Sequence, residues 1–122
     1  MKKNEYLVMP NVKSGNWVPF KEEDSLVFLS SQTGNTDSYS DDAKIQIQQT
    51  FDNFDVALKE AGVKREEVVQ VTLRVSDRYY LKEVVRLKNE FFKEPFPATI
   101  CLIQEFGHPN HIVNLSGVAY KG

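Results

Sequence analysis

The spacing of apolar residues changes several times along the chain, and each change marks a predicted element. Val69, Val71, Leu73 and Val75 alternate with Gln70, Thr72, Arg74 and Ser76, an eight-residue run of period two that predicts a half-buried strand. Ile47, Phe51, Phe54, Leu58 and Ala61 instead recur at steps of four and three, the stripe of an amphipathic helix. Ser40 or Asp41 is placed to cap that helix, Asp41 and Asp42 suit the positive end of its dipole, and Gly62 ends it. Val84, Leu87 and Phe91 predict a second helix, with Leu81 leading in, Asp77 as its cap and Pro95 closing it. Residues 25–31 are apolar on both parities and read as a central strand covered on both faces. Residues 98–104 and 112–120 read as two more strands, joined by a loop that carries His108 and His111. Trp17-Val18-Pro19-Phe20 contains a proline and reads as an edge strand or a loop, followed by a charged turn at Lys21-Glu22-Glu23-Asp24.

The order strand, strand, helix, strand, helix, strand, strand packs most economically as an α+β fold, one sheet with both helices on a single face. That leaves the other face of the sheet without cover. In the run from Ala98, one parity presents Ala98, Ile100 and Leu102 and the other Thr99, Cys101 and Ile103, so both sides call for burial. A small domain has no second layer to offer, and the expected cover is another copy of the chain.

Composition narrows the class. The 122 residues, 41% hydrophobic and 26% charged, predict one domain spanning 1–122 that buries roughly two-thirds of its unfolded surface. A single cysteine, Cys101, excludes an internal disulfide and a four-cysteine zinc cage, and fits a reducing compartment. No apolar run approaches the roughly 20 residues that span a bilayer, and the run after Met1 is too short for a secretory leader, so a cytoplasmic protein with no membrane partner is expected. With 15 Lys+Arg against 17 Asp+Glu, the net charge of −2 argues against bulk nucleic-acid binding.

Several segments then match something known. Leu29-Ser30-Ser31-Gln32-Thr33-Gly34, the helix ending Ala57-Leu58-Lys59-Glu60-Ala61-Gly62, the strand from Val68 into Ser76-Asp77, and Phe91-Phe92 followed by Phe96-Pro97-Ala98 resemble the YjgF/Rid family, also called L-PSP endoribonuclease-like. The resemblance runs through residues 15–120 with the motifs in order. It implies a chorismate-mutase-like α+β subunit with one mixed sheet, assembled as a homotrimer with small-molecule clefts between subunits. The family activity it implies is hydrolysis of reactive 2-imino or enamine acids to 2-oxo acids and ammonia, without metal or organic cofactor.

That chemistry needs a cation for the substrate carboxylate and an acceptor that orients water. In active members an arginine follows Pro-Ala, but here Pro97-Ala98 is followed by Thr99. The water-positioning glutamate falls, by ungapped spacing from Cys101, on Asn114. A tyrosine of the N-terminal loop becomes Trp17 and an asparagine of the second helix becomes Val85. The implied ligand lining is therefore Trp17, Ser30, Gln32, Thr99, Cys101 and Asn114. Loss of a bidentate pair worth about 1.5–3 kcal/mol weakens anion binding by roughly tenfold to a hundredfold. A cleft with Thr99 and Asn114 suits a small neutral or weakly polar metabolite instead.

Individual residues carry two readings each. Cys101 shares the parity of Thr99 and is either a cleft thiol or a small buried hydrophobe. Arg74 lies opposite the helix-covered valines and is either a replacement anchor for the missing arginine or a solvated edge residue. Trp17 either stacks on a planar ligand or fills an interface. Ser30 has no partnering base and is assigned binding only. His108, His111 and Glu105 share one loop, a weak metal signal outweighed by turn-forming and cleft-rimming roles, so no metal and no cofactor is expected. Lys82, Lys88, Lys93, Glu83 and Glu90 read as a solvated helix face.

Three functions compete at this stage. One is a metabolite-binding trimer without standard deaminase activity, and the second an imine or enamine deaminase of altered specificity. The third, an endoribonuclease or translation inhibitor, is opposed by the net charge, by the lack of a basic stripe with interleaved aromatics, and by the lack of an acid/base histidine pair on rigid elements.

Overall fold

The computed structural model describes residues 18–34 and 42–122. Asp42 caps the first helix: its carboxylate accepts hydrogen bonds from the amides of Lys44 (3.0 Å) and Ile45 (3.4 Å). Ser40 and Asp41, the caps expected from sequence, lie outside the described residues, and Asp42 does the capping. The helix, α1 (Ala43–Ala61), ends where Gly62 turns to φ 74°, a left-handed conformation that lets the Gly62 and Val63 amides return to the carbonyls of Lys59 and Leu58. Its stripe is the expected one, with Ile47, Phe51, Phe54, Leu58 and Ala61 all buried.

The strands are β1 (Phe20–Glu23), β2 (Leu26–Gln32), β3 (Val68–Val75), β4 (Ala98–Ile103) and β5 (Val113–Tyr120), and the second helix is α2 (Leu81–Phe91). They form one mixed sheet in the order β1-β2-β5-β3-β4. β3 and β4 pair in parallel through the α2 crossover, and the other pairs are antiparallel. Both helices pack on one face, where Val27 and Leu29 of β2, Val71, Leu73 and Val75 of β3, and Val113, Leu115 and Ala119 of β5 share a core with Phe51, Phe54, Val84, Phe91 and Phe92. This is the α+β arrangement expected from the order of elements.

Four details differ from the sequence reading, each for a local reason. The first strand is Phe20–Glu23 rather than residues 17–20, because an outermost strand tolerates charge on its exposed sides. The turn falls instead at Asp24, φ 55°, and Ser25. β2 is not covered on both faces: Val27 and Leu29 are buried while Leu26 and Phe28 stay exposed in the single chain. In β3 a bulge between Val68 and Gln70 breaks the alternation, so Val68 is buried and Val69 is 48% exposed. Asp77 caps a 3-10 turn, Arg78–Tyr80, through the Tyr79 amide at 2.7 Å, and α2 follows from that turn.

The loop between β4 and β5 is held to α1 by one side chain. Gln46, 1% exposed, donates to the Asn110 carbonyl (2.7 Å) and accepts from the Ile112 amide (2.9 Å), satisfying both ends of its amide inside the protein. Thr33 adds a bond to the Val113 carbonyl at 2.8 Å. These bonds fix where β5 begins and hence where Asn114 stands.

Candidate functional site

Register decides which face of the sheet each candidate occupies. In β4, Thr99 pairs with Val71, Cys101 with Leu73 and Ile103 with Val75, so these three point to the helix side. β4 is the sheet edge and extends past the cover of the helices, which leaves Thr99, Cys101 and Ile103 exposed. α2 runs along them with Leu81, Val85 and Lys88 on one stripe. Lys88 Nζ donates to Thr99 Oγ1 at 3.1 Å, and the Thr99 hydroxyl lies 3.3 Å from the Pro97 carbonyl. An open groove of about 640 Å³ follows, lined by Arg78, Leu81, Lys82, Val85 and Ile103.

Lys88 is the residue that sequence reasoning missed. Its place in the sequence predicts a solvated helix face, yet its ammonium stands at the hydroxyl of Thr99, so the space around Thr99 is not without charge. The signal was present in the steps of four and three that link Leu81, Val85 and Lys88. The neutral or weakly polar ligand inferred from Thr99 and Asn114 alone left this cation out.

Arg74 and Asn114 occupy the opposite face. They are paired across β3 and β5, while Leu102 is the partner of Arg74 on β4. Within one chain Arg74 therefore cannot reach Thr99, and the replacement-anchor reading of Arg74 fails inside a single subunit. Asn114 instead meets His111, whose Nε2 lies 2.7 Å from its Oδ1. The His111 ring stacks on Phe106 with centroids 4.0 Å apart and planes at 14°. His108 accepts the Asn110 amide through Nδ1 at 3.0 Å and so shapes the turn.

The remaining candidates are not drawn together. Ser30 donates to the Val18 carbonyl at 2.6 Å and tethers the segment before β1. Gln32 is 3% exposed and pairs with buried Leu115, so its side chain is directed into the core and not toward an open cleft. Among the described residues its Nε2 reaches the Ser30 carbonyl, at 3.4 Å. Trp17 lies outside the described residues.

Burial pushes the His111 pKa below its ordinary 6.5, and the bond to Asn114 only partly offsets this. A depressed folded-state pKa contributes stability that is fully present above the unfolded value and is lost as pH falls through the folded one. Thermal melts between pH 7.5 and 5.5 are thus expected to show a falling Tm below about pH 6.5. The fall should be shallower in His111→Gln; the same slope in both proteins would remove His111 as its cause.

The open face carries the apolar side chains that the sequence predicted. Leu26 and Phe28 of β2, Ile100 and Leu102 of β4, and Tyr120 of β5 are all at least 39% exposed. Between them run Gln70, Thr72 and Arg74 of β3 beside Asn114 and Ser116 of β5.

Comparison with known proteins agrees with this architecture. Residues 10–117 match the family described as Endoribonuclease L-PSP. A RutC family protein from Aquifex aeolicus is 36% identical over 76 residues, a match that covers 60% of this chain and 61% of that protein. Among solved structures, RidA from an Antarctic Psychrobacter superposes with a TM-score of 0.77 at 21% identity, covering 89% of this chain and 91% of that one. A member of the YjgF/YER057c/UK114 family from Mycobacterium tuberculosis gives 0.75 at 23% identity, covering 85% and 86%. The sheet order, the two helices on one face and the match over residues 10–117 converge: this chain belongs to the YjgF/Rid, or endoribonuclease L-PSP, family.

Proposed function

We propose that the protein is a homotrimer that binds a small metabolite in clefts between its subunits and lacks the family's standard 2-iminoacid deaminase chemistry. The observation that carries this reading is the placement of Thr99 and Asn114 on opposite faces of one sheet. If both positions line one cleft, the two must come from different copies, and the exposed apolar side chains of the open face supply the surface on which copies would meet. Threonine and asparagine stand where an arginine would hold a carboxylate and a glutamate would orient water. Among the described residues no helix is long and apolar enough to cross a membrane.

The second reading, an imine or enamine hydrolase of altered specificity, has one observation in its favour, the Lys88 ammonium beside Thr99. The endoribonuclease reading gains none, since His108 and His111 serve a turn and Asn114. Ammonia release from freshly generated 2-aminoacrylate separates the first two. The rate is expected to equal the buffer blank, and a thermal-shift screen of metabolites is expected to find a ligand. Steady release above the blank would transfer the assignment to the hydrolase, and silence across a broad library would remove the binding role.

A further inference from the structure

The groove between α2 and β4 has a charge pattern that goes beyond a generic small-molecule cleft. The two charged residues that line it, Arg78 and Lys82, are both cations, and further along α2, beyond that lining, Lys88 stands beside Thr99. The acidic residues of α2 point elsewhere, because Glu83 and Glu90 both pair with Arg86 on the far side of the helix. Among the described residues, Arg78, Lys82 and Lys88 make no ion pair. Lys88 spends one of its three protons on Thr99, leaving donors for a ligand. The rest of the lining is Leu81, Val85 and Ile103, an apolar floor that holds no acceptor side chain of its own.

We propose that this groove takes an elongated dianion, a linear dicarboxylate. One carboxylate sits on Lys88 beside Thr99 and the other on Arg78 and Lys82, with the methylene chain along Val85 and Ile103. Six residues of helix separate Lys82 from Lys88, about 9 Å of rise, which is the span of a dicarboxylate of suberate length. Two charge-assisted contacts set apart by an apolar stretch select for both length and charge, and a monoacid or a diamide of equal length satisfies only part of the site. The assignment rests on the small-molecule reading proposed above and names its ligand class.

The test is titration of the intact oligomer with suberate, octanoate and octanediamide at low ionic strength, followed by NMR at Val85 and Ile103. Suberate is expected to bind at least roughly tenfold more tightly than either analogue, with the advantage shrinking as salt rises. Lys88→Met and Lys82→Met should each reduce the preference toward one, and Lys88→Arg should keep it. Melting temperatures equal to the wild type's would show that these surface variants remain folded. Equal binding of the three probes, or a preference that survives Lys88→Met, overturns the proposal. If octanoate or the diamide shifts Val85 and Ile103 with no advantage for suberate, the small-molecule groove stands and the dianion assignment falls. If no probe shifts them, the dianion assignment falls, and the metabolite reading is decided separately by the thermal-shift screen.

Discussion

Truncation of Phe54 to alanine is expected to cost about 4 kcal/mol of folding stability, read as a lowered urea midpoint at unchanged slope. The ring is fully buried at the junction of both helices and the sheet. It meets the rings of Phe91 and Phe92 edge-on at 6.3 and 6.2 Å, and these close the end of α2. On its other side Phe54 approaches Gly117 of β5, where an added Cβ would stand 3.3 Å from Phe54 Cζ and 2.7 Å from the Gln70 carbonyl oxygen. The backbone there is pinned by sheet pairing and cannot collapse into the space the ring leaves, so most of the cavity persists. A loss below about 1.5 kcal/mol would show that α2 settles into the void. The same geometry makes Gly117 a requirement of close approach, since any side chain there displaces either β3 or the ring.

The second large effect concerns assembly. Leu102→Asp is expected to turn the proposed trimer into monomers at micromolar concentration, followed by light scattering on a sizing column. Leu102 is 43% exposed in the single chain and shares the open face with Ile100, Phe28, Leu26 and Tyr120, so the subunit itself should fold unaltered by circular dichroism. A carboxylate forced into a desolvated interface without a partner costs several kcal/mol per subunit, and symmetry repeats the cost at each contact. A trimer that tolerates the aspartate would move the interface off this face, and a wild-type protein that elutes as a monomer would remove the assembly altogether.

The elements were legible where one physical cause dominated. The stripe of α1, its Gly62 end and the two-sided apolar character of the sheet follow from periodicity and burial, and the structure bears them out. Strand ends were less legible because they depend on partners distant in sequence: the charged residues Lys21 to Glu23 form a strand only because β2 lies beside them. The bulge that turns out Val69 is likewise set by the register with β5. At the candidate site, sequence placed Arg74 on the correct face but could not say that Thr99 lies on the other, since that depends on the parallel pairing of β3 with β4. The role of Lys88 is not legible in the sequence because a lysine on a helix is usually solvated, and only the packing of α2 along β4 brings its ammonium to a hydroxyl.

The two margins of the sheet are unequal. β1, at one margin, carries Lys21, Glu22 and Glu23, charges that discourage another strand from adding on. β4, at the other, is Ala98-Thr99-Ile100-Cys101-Leu102-Ile103, with no charge and no proline inside it, and along its outer side it pairs with no strand among the described residues. In the proposed trimer, a subunit set free by dilution or by interface damage would therefore offer a template for strand-on-strand growth, and its solubility would become a property of oligomer occupancy. Variants that weaken assembly should first be lost as aggregates at high expression, before any loss of ligand binding is measured, and a charged residue placed in β4 would work as a gatekeeper against that fate.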